Sequence, residues 1–127
     1  MAVLLYGPTQ VRIAFDGNHF MAHLHAATSR RFADGRGYFL TIAGTNDSRK
    51  EVCISYWIHP SIPLLFCYDT HDDTGEPSQT VEVNDENVDA LVQIMDRPIG
   101  ILWGFSADLG RYLPFTDSET PSPIGDA

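Results

Sequence analysis

Apolar and polar residues alternate along much of this chain with a period of two, in short runs separated by turn chemistry. Val11-Arg12-Ile13-Ala14-Phe15 alternates and meets Asp16-Gly17-Asn18, a strong turn signal, so a strand entering a hairpin is predicted. From Asn18 to Ala26, Phe20, Ala22, Leu24 and Ala26 fall on one side at strand spacing, with His19, Met21, His23 and His25 on the other. Alternation and the preceding turn together favour a second strand here over a helix on which Phe20, Leu24 and Ala27 would share a stripe. Thr28 to Gly37 is basic, ends in Asp-Gly-Arg-Gly and reads as a loop. Strands are predicted at Tyr38–Ala43 and Val52–Ile58, paired as a hairpin across the polar stretch 44–48. His59-Pro60-Ser61-Ile62-Pro63 interrupts the pattern because proline cannot donate to a ladder. Leu64–Tyr68 resumes it, and Gln79–Val83 adds a short alternating strand.

One helix is predicted, over Asp85–Met95. Asn84 is a good N-cap, Asp85 and Glu86 complement the positive end of the helix dipole, and Val88, Leu91, Val92 and Met95 recur at three-four spacing. Pro98 stops it, Ile99–Trp103 reads as a short strand or buried connector, and Ser106–Leu109 as one capped turn. The ordering predicts an α+β fold: an antiparallel β-meander of five to seven strands with one late amphipathic helix packed on one face. A helix-free closed barrel is the alternative. Residues 1–115 are expected to form a single domain, and 116–127, small, polar and proline-bearing, a flexible tail. The apolar fraction of 43% in 127 residues supplies a real core without staples.

Charge sharpens the picture. The net of −9 is unevenly spread: residues 1–50 hold six Lys/Arg against three Asp/Glu, whereas 51–96 hold ten acids and no Lys/Arg. Such a field repels nucleic-acid phosphates and anionic lipid and speeds association with basic partners. Nucleic acid and membrane are therefore not expected as ligands. The opening Met-Ala-Val-Leu-Leu-Tyr-Gly-Pro has no basic residue and an apolar run too short for a signal peptide or a membrane span, so a cytoplasmic protein is expected. Cys53 and Cys67 are then expected as free thiols. If strands 52–58 and 64–68 pair about the 59–63 connector, the two cysteines come close to opposite each other, and a disulfide is geometrically conceivable.

Catalytic motifs are weak. His23 and His25, on a strand, would share a face with His19 out of range, which makes two metal ligands and no third; His71 or an acid of the 69–76 loop would have to complete the set. On a helix, His19 and His23 would stand at i, i+4, but Phe20-Met21-Ala22 replaces the Glu that zinc proteases need. Neither metal nor cofactor is expected. Gly104-Phe105-Ser106-Ala107-Asp108 has Asp where a nucleophile elbow requires Gly, leaving helix capping as the better use of Ser106. The loop Tyr68–Pro77 lacks the ligand order of an EF-hand. Its acids, Asp69, Asp72, Asp73 and Glu76, are expected to join Glu82, Asp85, Glu86 and Asp89 in one negative partner-binding surface.

The stretch "VNDENVDALVQIMDRPIGILW", an acid-opened amphipathic helix closed by Arg97-Pro98 and followed by a strand, comes after a sheet meander and a Tyr-Asp loop. Over residues 38–103 this resembles the small acidic immunity proteins that neutralise bacterial polymorphic toxins. The resemblance implies a non-catalytic inhibitor that blocks a toxin domain, often a nuclease or deaminase, and a phage-encoded blocker of host defence would work alike. The competing expectation is a small enzyme or ligand-binding protein with a polar pocket near His23 and His25; a structural subunit of an assembly is a third. A convex or flat acidic surface would favour the inhibitor, and a concave pocket containing the histidines the enzyme.

Overall fold

The computed structural model describes residues 2–15, 17–45, 51–106 and 111–114. Its elements are β1 (Ala2–Tyr6), β2 (Val11–Phe15), α1 (Asn18–Ala33), β3 (Tyr38–Thr45), β4 (Glu51–Ile58), β5 (Leu64–Cys67), α2 (Asp85–Met95), β6 (Ile101–Ser106) and β7 (Arg111–Pro114). The class is α+β, as the pattern predicts, with two sheets and two helices among the described residues. One sheet runs β2-β1-β5, all antiparallel; the other runs β4-β3-β6-β7. The meander expectation fails at β6, which pairs with β3 in parallel, Leu40 opposite Ile101. A parallel neighbour needs a long crossover, and the chain from β4 through α2 supplies it.

The segment expected to be a histidine strand followed by a loop is instead the 16-residue helix α1. Its buried residues, Phe20, Met21, His23, Leu24, Ala27, Thr28 and Arg31, continue at helical spacing well past Ala26. The apparent alternation was carried by Ala22 and Ala26, which fit either side of a helix because they bury so little. Arg30 and Arg31, read as loop residues, lie in the last turn of α1, where the dipole favours cations. α2 matches its predicted span, and the Asn84 side chain accepts from the Glu86 and Asn87 amides as expected of an N-cap.

Two further expectations are corrected. β4 pairs with β3, Ala43 opposite Cys53, whereas β5 pairs with β1, Val3 opposite Cys67; the cysteines sit in different sheets, and Cys67 is an exposed free thiol. The connector 59–63 redirects the chain to the other sheet rather than turning it back on itself. Gln79–Val83 joins neither sheet. Ser106 is the last residue of β6 and pairs with Arg111 of β7. The remainder of the Ser106–Leu109 turn and the tail 116–127 lie outside the described residues.

The core draws on every layer: Leu4, Ile13 and Phe15 from the first sheet, Tyr38, Leu40, Ile58 and Ile101 from the second, Met21 and Leu24 from α1, Leu91 and Met95 from α2. Tyr6 links the sheets, its hydroxyl donating to the Trp57 carbonyl at 2.9 Å and its ring meeting Tyr56 edge-on at 5.0 Å. Gly100, at φ +63°, passes so close over β3 that a Cβ there would lie 1.8 Å from the Phe39 carbonyl oxygen, so only glycine fits.

Candidate partner-binding face

The acidic stretch is strung along α1. Asn18, at its N-terminus, holds the backbone of Asp69 from both sides: its Nδ2 donates to the Asp69 carbonyl at 2.9 Å and its Oδ1 accepts the Asp69 amide at 2.8 Å. A side-chain amide presents donor and acceptor side by side, so Asn18 holds both backbone groups of Asp69, two residues beyond the Val3–Cys67 pair. Further along α1, His23 meets Asn84. Arg30 then reaches Asp89, and Asp85 at 3.9 Å. At the helix end, Arg31 and Arg36 converge on Asp96, the Arg36 contact being 2.8 Å. Asn18 to Arg31 spans roughly 20 Å at the helical rise.

This arrangement sorts the predicted site residues. Asp85 and Asp89 are tied to Arg30, so part of the expected negative surface is neutralised within the fold. Asp96, which the sequence did not single out, belongs to the same network; hydrogen bonding to Arg31 holds its carboxyl below the usual range. Asp72 spends its carboxylate on its own loop: Oδ1 accepts the Thr74 amide at 2.9 Å, the Thr74 hydroxyl at 2.6 Å and the Glu76 amide at 3.0 Å. The Thr74 hydroxyl, chiefly, lowers its pKa. Asp73, Glu76, Glu82 and Glu86 are exposed and form no ion pair among the described residues. The basic end of α1 thus balances α2, while Asp73 and Glu76 of the loop form no ion pair among the described residues.

Those loop acids border a concavity. A groove of about 430 Å³ opens between Asn18 and Ala22 of α1, Tyr68–Thr70, and Ser78–Val81. It adjoins a hollow of about 300 Å³ lined by His71, Asp72 and Asp73, the two sharing Asn18, Asp69, Ser78 and Gln79. Polar lining residues such as Asn18, Tyr68, Ser78 and Gln79 carried no sequence motif: Asn18 was visible only as turn chemistry, and Tyr68 and Gln79 only as ends of predicted strands.

The N-terminal histidines take other positions. His23 is fully buried; its Nε2 accepts the Asn84 amide at 3.0 Å, which fixes the proton on Nδ1, and Nδ1 donates to the His19 carbonyl at 2.7 Å. With both nitrogens engaged it can neither ligate a metal nor enter the groove. His19 packs its ring 4.5 Å from that of His23, and burial, then its electrostatic interaction with the His23 ring, lowers its pKa. His25 stacks on Phe66 at 4.3 Å and bonds the Tyr68 hydroxyl at 2.9 Å, steadying a phenol whose pKa burial raises. Among the described residues, no three His, Cys, Asp or Glu side chains converge as a metal set, and no helix is long and apolar enough to cross a membrane.

One family model matches the chain, over residues 1–103: a domain of unknown function (DUF7882). No curated protein and no solved structure matches it.

Proposed function

The chain belongs to the DUF7882 family, whose function is unknown, and from the site itself we propose that it is a non-catalytic binding protein that engages a basic protein partner through the acidic end of α1. The observation that carries this reading is the charge sorting. Arg30, Arg31 and Arg36 are spent on Asp85, Asp89 and Asp96, so nothing basic among the described ion pairs offsets Asp73, Glu76 and Glu82. Concentrated like charge costs stability through self-repulsion, and a partner of opposite sign relieves that cost while gaining encounter rate. A nuclease-like or deaminase-like domain, whose own cleft must be basic, is a partner of the right chemistry, and blocking that cleft in the cytoplasm is the activity an immunity-like inhibitor would have.

The test is capture from native extract by the wild-type chain and by an Asp73→Lys/Glu82→Lys/Glu86→Lys variant, followed by binding kinetics on the retained protein. A basic partner held by the wild type at low ionic strength, with an association rate at least tenfold slower for the variant and a flatter salt dependence, is the expected result. Equal rates for both chains at every salt concentration, or retention of acidic proteins alone, would overturn the reading.

A further inference from the structure

Residues 79–83 alternate like a strand, yet the fold gives them no strand to pair with. The hairpin that follows β5 is closed by the His71–Pro77 bridge and by the Ser78 amide donating to the Thr70 carbonyl at 2.9 Å. Beyond Ser78 the return leg and residues Tyr68–Thr70 both line the groove beside Asn18 and Ala22 of α1. The return leg continues without a turn or bend to Asn84, itself in extended conformation. Among the described residues, no hydrogen bond uses a backbone group of 79–83. Gln79, Thr80, Glu82 and Val83 are exposed, Val83 by 46%. A row of unused main-chain donors and acceptors is a template for an added strand.

We propose that residues 79–83 are a docking strand, to which an extended basic segment of the partner protein adds by main-chain hydrogen bonds, laying a Lys or Arg side chain into the groove beside Tyr68. The occupant rests on the acidic-face reading above; the mode of attachment is new. Charge complementarity selects it: Glu82 lies within the strand, Asp73 and Glu76 at one end and Glu86 at the other, so a second copy of this chain, at net −9, would meet like charge along the whole contact. Side chains of an added strand alternate between faces, so every second residue can reach the groove while the others stay in solvent.

The probe is a capped, dye-labelled decapeptide of alternating lysine and threonine, bound to the full chain at low ionic strength and followed by anisotropy and by amide hydrogen exchange. Two further peptides carry N-methyl groups on all lysines or on all threonines. Strand addition uses the amides of alternate residues only. One methylated peptide is therefore expected to bind at least tenfold more weakly than the other, and exchange at 79–83 to slow at least tenfold on binding. If the two methylated peptides bind alike, or exchange at 79–83 is unchanged, while Asp73→Lys/Glu82→Lys still abolishes binding, strand addition is wrong and the acidic face stands. A peptide that fails to bind, or binds the charge-reversed chain equally, overturns both. Slowed exchange at 79–83 that grows with protein concentration in the absence of peptide identifies a second copy as the occupant and overturns the proposal.

Discussion

His23 shows how one buried polar residue can join two helices. Its ring accepts from the backbone amide of the residue that caps α2 and donates to a carbonyl of α1, so removing it takes away two hydrogen bonds, one of which ties the helices together. His23→Leu is expected to cost about 0.5–1.5 kcal/mol per lost hydrogen bond, read by urea unfolding. His25→Gln, on the exposed side of the same helix, should change stability by under about 0.5 kcal/mol. Tyr38 is a similar case: its hydroxyl and that of Thr28 bond at 2.8 Å in the core, and burial drives the phenol pKa far above its ordinary value. Tyr38→Phe leaves the Thr28 hydroxyl alone and should cost about 1–3 kcal/mol, whereas adding Thr28→Val recovers part of that loss, because removing both members of a buried pair leaves nothing unsatisfied.

The elements differ in how they are held. α2 is set by its own sequence, with cap, dipole and apolar stripe agreeing, and it then docks on α1 through Arg30. The 69–78 loop has little apolar burial and is organised by the Asp72 carboxylate instead. Asp72→Ala is expected to free the Thr74 and Glu76 amides, accelerating their hydrogen exchange at least tenfold with little change in global unfolding. Asp73→Ala, whose carboxylate holds no part of the loop, should leave both amides protected. The contrast separates an acid that builds the face from an acid that presents it.

The molecule as a whole should be acid-sensitive in two steps. His19 has a folded pKa below its ordinary 6.5, so below about that pH the unfolded chain binds more protons than the folded one, and stability falls as pH drops through the folded value. Asp72 and Asp96 have folded values below 3.8, so the stability they contribute is present above 3.8 and is lost as pH falls through their lowered values. Denaturant midpoints measured from pH 8 to pH 3 should therefore be level above about 7, decline below it and drop again below about 4. His19→Asn is expected to flatten the first decline and leave the second.

Sequence alone determined the features that rest on neighbours a few residues apart. The α2 cap and stripe, the β3–β4 hairpin, the break at Pro60 and Pro63, and the excess of acids over 51–96 were all legible because local backbone chemistry and charge fix them. The α+β class followed from the mixture. Helix α1 was misread because two alanines imitate alternation, and the periodicity that corrects them extends to Arg31, beyond the window in which the histidines draw attention. Only the tertiary structure decided which strands pair, since β5 joins β1 across more than fifty residues and β6 lies parallel to β3 through a crossover that no local pattern encodes. It also decided the site. Whether an acid is spent on Arg30 or on its own loop depends on which side chains the fold brings within bonding distance, and the strand-like run at 79–83 joins neither sheet.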